Sequence, residues 1–367
     1  MSNPTRAELL GPLLKSVSRS FYLTLNVLPA GMRDPVGLAY LLARAADTIA
    51  DTSLISPGKR MELLLSFRSQ VNGVPDSDAL TAIRAEVASQ QIDSEEKLLL
   101  ESLEPALAVL SQFEELDREA VREIVATLTE GMEFDLRTFP DENSGRIIAL
   151  QEFAELDQYT YMVAGCVGVF WTKMTYAHVP ETFTDPPALV MDRGVRLGKA
   201  LQMTNVLRDC GKDLRIGRCY LPAMMLARWD LEPQDLLSPD MSLRARPVLF
   251  ELVRKALDHF RAGIEYTLSL PALFVRLRLA CLWPILIGLE TVSLLVDNDR
   301  WLDPAKVSKI RRGDVYRILA VSVPMVASDR LVRMWTERLI ARIEARMKEL
   351  WGDSDPFAPK KSVAQSK

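Results

Sequence analysis

Two aspartates, Asp47 and Asp51, interrupt the alanine-rich run LLARAADTIADT at residues 41–52. Four residues turn an α-helix through roughly 400°, so the two carboxylates leave it about 40° apart, on one stripe. A second stripe follows in LGKALQMTNVLRDCGKDL, where Asn205, Asp209 and Asp213 fall at i, i+4 and i+8 and Gln202 lies close to the same face. Leu201, Met203, Val206 and Leu207 between them are apolar, so this helix is expected to pack in a core while aiming oxygen ligands inward. A lone DxxxD reads as the solvated face of an amphipathic helix. Like charges at i, i+4 cost a bare helix only about 0.2–0.5 kcal/mol. Two stripes facing one another repel strongly unless cations sit between them. Magnesium suits that arrangement, because it takes oxygen ligands, keeps waters and shares its shell between one or two carboxylates and substrate phosphates. The expectation is Mg²⁺ on Asp47, Asp51, Asn205, Asp209 and Asp213, with a diphosphate as substrate. Arg44 and Arg208, beside the aspartates, would take phosphate oxygens directly through the guanidinium fork.

Helices must carry these stripes. Asp34-Pro35 reads as an N-cap with proline at the first helical position, opening a helix to about Thr52; Asp185-Pro186-Pro187 opens another to about Leu214. DREAVREIVATLTEGMEFDLRTF, MSLRARPVLFELVRKALDHFRAGIEYTL and SDRLVRMWTERLIARIEARMKELW have apolar residues at helical spacing. Strand-like alternation is nearly absent, and RCYLP is its best candidate. In YTYMVAGCVGVFW, Val163, Ala164, Gly165, Val167 and Gly168 form a small-residue surface. Either a long apolar chain lies against it, or a neighbouring helix packs there through glycine.

The whole chain narrows the classes further. It has 367 residues, 48% apolar and 26% charged, with a net charge of −4, so it can bury a large core. No lysine/arginine-rich block dominates, and nucleic acid is not an expected partner. Four cysteines without CxxC spacing read as reduced thiols in a cytoplasmic protein. With two histidines, a histidine-rich metal site or a Ser-His-Asp triad is not expected. LACLWPILIGLETVSLLV, residues 279–296, contains Pro284 and Glu290 and reads as a buried core helix rather than a membrane span. The last residues, 352–367, read as a disordered, solvated tail behind a single domain over 1–351.

Three segments, SVSRSFYLTLNVLPAGMRDPVGLAYLLARAADTIADT, YTYMVAGCVGVFW and QMTNVLRDCGKDL, in that order and at those separations, resemble the squalene/phytoene synthase family. The resemblance runs from about Ser16 to Gly313. It implies an all-α fold, a single-domain helical bundle of the isoprenoid-synthase type with a central apolar cavity. It also implies Mg²⁺-dependent head-to-head joining of two prenyl diphosphates. Asp47, Asp51, Asp209 and Asp213 match the two aspartate motifs, and Gln202 and Asn205 the polar positions before the second. Ser18, Arg19, Ser20 and Phe21 match the element that lines the diphosphate site in the family. Tyr40, Arg44 and Arg208 match positions beside the motifs, and Tyr159 the tyrosine near the reacting carbons. Ala50 departs from the acidic residue that squalene synthases often carry there.

The resemblance leaves the product open. Lys309, Arg311 and Arg312 in KIRRG resemble the basic element near the cofactor site of squalene synthases, which implies NADPH. GRCYLP instead resembles bacterial carotenoid synthases. Squalene from two farnesyl diphosphates is the leading expectation. Phytoene or dehydrosqualene synthesis, or arrest at presqualene diphosphate, are the alternatives. Peripheral contact with the inner face of the membrane, for product release, is a further expectation. A non-catalytic scaffold of the same fold has no need for two aspartate stripes, and a cyclase or chain-elongating enzyme would prefer DDxxD.

Overall fold

Apolar residues at helical spacing bury one face of each long helix, and the helices gather into two adjoining cores. The computed structural model describes residues 4–18, 21–139 and 141–351. The N-terminal core is built from α1 (Ala30–Asp51), α2 (Pro57–Asn72) and α3 (Glu115–Thr138), with shorter helices between α2 and α3. Beyond them come α4 (Phe153–Thr160), α5 (Cys166–His178), α6 (Pro187–Arg215), α7 (Arg246–Leu268), α8 (Val275–Val296), α9 (Arg312–Met325) and α10 (Asp329–Trp351). Cys166, Phe170 and Met174 of α5 join the first core, whereas the buried faces of α7 and α10 build the second. The 29-residue α6 runs between the two and touches α5, α7 and α8. The all-α expectation holds. Among the described residues the only strands are β1 (Ile148–Ala149) and β2 (Arg218–Cys219), paired in parallel with Ile148 opposite Arg218. β2 is the first part of the RCYLP segment.

Both expected helix starts are close, and one is corrected. α6 begins at Pro187 after Pro186, and Asp185 accepts from Arg193 at 2.6 Å instead of capping. α1 begins at Ala30, four residues before Asp34, so Pro35 lies inside the helix. As the sixth residue of the helix, Pro35 forgoes the bond that an N–H there would make to the Gly31 carbonyl. Asp34 is instead bound by Arg6 across the surface at 2.6 Å.

α8 is the one described helix long and apolar enough to cross a membrane, and 72% of its most apolar window is buried inside the protein. Its start is pinned by Arg278, which is 1% exposed. That guanidinium donates to the carbonyls of Leu270 at 2.7 Å and Val326 at 3.0 Å and pairs with Asp329. α8 is a core helix. All four cysteines are buried and free. The expected tail, 352–367, lies outside the described residues.

Candidate functional site

The periodicity of α1 decides where its aspartates point. Leu38, Leu41, Leu42, Ala45, Ala46 and Ile49 are buried, which leaves Tyr40, Ala43, Asp47 and Asp51 on the opposite stripe. On α6, Met203, Val206, Leu207 and Cys210 are buried while Gln202, Asn205, Asp209 and Asp213 stay partly open. These two stripes line one cleft of about 530 Å³. The expected pairing is present.

The cleft also holds residues that sequence reasoning missed. Asp135 projects from α3, where Leu128, Met132, Asp135 and Leu136 share one helical face and all line the cleft. Its Oδ2 accepts from the Tyr220 hydroxyl at 2.7 Å and from the Tyr159 hydroxyl at 3.3 Å, and lies 3.7 Å from Arg218. Tyr159 and Tyr220 stack with centroids 4.7 Å apart. Gly217, at φ +81°, makes the turn that brings Arg218 and Tyr220 back from the end of α6 to the cleft. The one available signal for Asp135 was an aspartate on the apolar stripe of its own helix.

So many carboxyls in one space ionise less readily than free ones. Burial, then the charge of Asp51, pushes Asp47 up to about 7, although 46% of its side chain still meets the cleft. Burial, then Asp209, does the same for Asp213, and burial raises Asp135 to about 7. Asp135, only 14% exposed, is the one on which burial acts with least solvent screening. Asp51 is raised as well, with Arg218 opposing the effect of burial. Tyr159 is raised well above an ordinary phenol by burial and then by Asp135, so it stays protonated.

This donor set fits a hard divalent cation. Asp47, Asp51, Asp209 and Asp213 offer carboxylates, and Asn205 and Gln202 offer amide oxygens. Among the described residues no three His, Cys, Asp or Glu side chains are grouped closely enough to hold an ion by themselves. Mg²⁺ commonly completes its shell with water and substrate phosphate.

A second, apolar cavity of about 190 Å³ adjoins the cleft, and Val167 lines both. Its wall includes Ala164, Gly168, Trp171, Leu201, Tyr266 and Pro284. The chain enters it through a π-helical turn, Tyr161–Gly165, which directs Val163 to the cleft and Ala164 to the cavity. The small residues have a second task that the sequence left open. A Cβ on Gly168 would collide with the backbone of Gly194, and one on Gly198 with the carbonyl of Ala164. Their smallness lets α5 and α6 touch backbone to backbone beside the cavity. The helix-packing reading of this surface therefore holds, and Ala164, Val167 and Gly168 also line the cavity.

Other expected residues stand elsewhere. Arg44 and Arg208 are not among the residues lining the cleft: Arg44 is paired with Glu96 and lies 3.8 Å from Asp47, and Arg208 is paired with the adjacent Asp209. Free guanidinium forks beside buried carboxylates close on the nearest one, which explains the difference. Tyr40 lines the cleft, and its hydroxyl donates to the Val17 carbonyl at 3.4 Å. Ser18 is buried at 3% exposure with no hydroxyl partner among the described residues. Arg19 and Ser20 lie outside the described residues, and of Phe21 only its helical backbone is described. Lys309, Arg311 and Arg312 are exposed and outside the cleft lining. Their segment starts close by, because Leu302 and Pro304 rest against Gly211, between Asp209 and Asp213.

The model of the squalene/phytoene synthase family matches residues 14–312. A squalene synthase of Homo sapiens is 27% identical over 355 residues, covering 95% of this chain and 75% of that protein. One of Solanum lycopersicum is 25% identical over 314 residues, covering 84% and 68%. Among solved structures, TcSQS in complex with the ligand E5700 superposes with a TM-score of 0.73 at 22% identity, covering 94% of this chain and 97% of that one. A dehydrosqualene synthase in complex with ligand gives 0.57 at 18% identity, covering 87% and 96%.

Proposed function

The chain belongs to the squalene/phytoene synthase family and is a prenyltransferase, and from that premise we propose that it makes squalene from two farnesyl diphosphates. One observation carries this reading: two acidic stripes face across a cleft whose wall, at Val167, also borders an apolar cavity. Mg²⁺ on Asp47, Asp51, Asn205, Asp209 and Asp213 would supply the charge that lets an allylic diphosphate leave. Among the described residues, Arg218, at the same cleft, is the cation best situated to meet a departing diphosphate. Trp171 and the aliphatic wall keep water from the cationic carbons. Tyr159 stays protonated, so it acts as a relay: it takes a proton from carbon only as it passes its own to Asp135.

Lys309, Arg311 and Arg312 are proposed to hold the phosphates of NADPH, which would supply the hydride that quenches the last cation. From Pro304 to Lys309 an extended chain covers at most about 18 Å, so the segment stays within reach of the cleft. A second reading has support as well. Arg218 and Tyr220 of GRCYLP belong to the cleft, which suits the family members that finish without reduction.

Incubating the purified protein with farnesyl diphosphate and Mg²⁺, with and without NADPH, tests these readings. Squalene should form only with NADPH. Arg311→Ala with Arg312→Ala should let presqualene diphosphate accumulate at low NADPH, and excess NADPH should partly restore squalene. Dehydrosqualene or phytoene regardless of NADPH selects the second reading.

We also propose a cytoplasmic protein in peripheral contact with the inner face of the membrane. Tyr316 and Val323 of α9 are 66% and 51% exposed, and the exposed cations Lys309, Arg311, Arg312 and Arg317 lie at or near its N-terminal end. α9 backs onto α8 beside the apolar cavity, where Trp283 Nε1 donates to Ser322 Oγ at 2.8 Å. An apolar helix with a basic end fits an anionic lipid surface. Sedimentation with anionic but not neutral vesicles is the expected result, and equal recovery with neither would remove this proposal.

A further inference from the structure

We propose that Glu142, held by Arg60, is a positioning residue that keeps the Arg218 guanidinium off the metal-facing carboxylates. This rests on the metal–diphosphate reading of the cleft. Arg60 lies in the first turn of α2 with a side chain only 2% exposed. Its Nη1 donates to the Ala50 carbonyl at 3.0 Å and to Glu142 Oε1 at 2.9 Å, and its Nη2 donates to Oε2 at 3.2 Å. One fork therefore fixes both oxygens of Glu142 and ties them to the helix end that carries Asp51. Arg218 Nη2 donates to Glu142 Oε1 at 3.4 Å, and Arg218 Nη1 lies 3.7 Å from Asp135 Oδ2. The result is a row of alternating charge, Arg60, Glu142, Arg218, Asp135, in which no side chain exceeds 14% exposure.

Arg218 is the sole cationic side chain among the described residues lining the cleft. Left loose, its guanidinium would close on Asp51 or Asp213 as a bidentate pair, as Arg208 does on Asp209. It would then occupy the oxygens that a divalent cation needs. Held between Glu142 and Asp135, it keeps its charge beside the aspartates without sealing them. Groups that orient a metal site from behind typically govern its affinity as much as its chemistry.

Calorimetric titration of the full-length protein with Mg²⁺ and inorganic pyrophosphate tests this without turnover. Wild type should bind pyrophosphate only with Mg²⁺, and Asp47→Asn should abolish binding. A wild type that binds none sinks the metal–diphosphate reading itself, and this proposal with it. Given wild-type binding, Glu142→Gln should raise the Mg²⁺ concentration required by about tenfold. Turnover at saturating Mg²⁺ and substrate should fall much less. Removing one member of a buried pair can unfold a chain, so Arg60→Met with Glu142→Leu, which removes both charges, gives a second arm. It should show the same Mg²⁺ shift. In an Arg218→Gln background, adding Glu142→Gln should cost no further Mg²⁺ affinity, because the competing cation is gone. If Glu142 only staples α2 to its neighbour, the melting temperature drops while the Mg²⁺ requirement and KM stay at wild-type values. That outcome, or simple additivity with Arg218→Gln, overturns the proposal.

Discussion

The acidic cleft and the apolar cavity share Val167 yet are built by opposite means. The cleft is made of side chains that project from helices whose other faces are already buried. The cavity exists because α5 and α6 meet through glycine, with Gly168 against Gly194 and Gly198 against Ala164. Chemistry in the first region is therefore separable from folding, whereas the shape of the second is part of folding. A carboxylate can be neutralised without moving a helix. A methyl group at the crossing cannot be added without moving one.

The largest expected effect falls on the crossing. Gly168→Leu meets backbone rather than a flexible side chain, so the strain should reach or exceed the upper end of the usual overpacking cost of about 1–3 kcal/mol. Thermal melting should show a large loss or no cooperative transition. A variant that melts like wild type but rejects farnesyl diphosphate would break the contrast, since the glycine would then serve the cavity alone.

Next come the stripes. Asp47→Asn or Asp209→Asn should lower turnover by at least about 100-fold, as expected when a group that stabilises developing charge is removed. Helical circular dichroism should not change, and the metal-free melting temperature should stay level or rise as repulsion is relieved. Full activity in both variants would remove the metal-cradle reading.

The smallest effect sharpens the electrostatic half of the comparison. Asp47, Asp135 and Asp213 sit near 7 in the folded chain against 3.8 for an ordinary aspartate. Between those values the native state binds more protons than the unfolded one, so metal-free stability falls as pH rises from about 4 to 7. The melting temperature should decline across that window, and Mg²⁺ with pyrophosphate should flatten the decline. A melting temperature that rises over the same range would contradict crowded carboxyls in the cleft.

Some of this was legible along the chain. The two stripes could be read because helical periodicity fixes which residues share a face, and their buried opposite faces fix the direction. Tyr159 and the small residues after it were legible as a surface, but not which neighbour would use it. Arg44 and Arg208 were legible as cations beside the stripes, but not that Glu96, from another helix, would pair with Arg44. Asp135, Glu142, Arg218 and Tyr220 went unremarked as site residues because they come from three separate segments: α3, the loop after it, and the segment after α6.

The sequence by itself determined the helices, their buried faces and the two ligand stripes, since these depend on spacing within about two turns. Only the tertiary structure decided that α3 brings Asp135 to the Tyr159–Tyr220 stack. Only there does Arg60 join the end of α1 to Glu142, and does Gly168 meet Gly194. Those contacts link residues 10 to 85 positions apart. No local periodicity encodes such pairs; they follow from how whole helices find their packing partners.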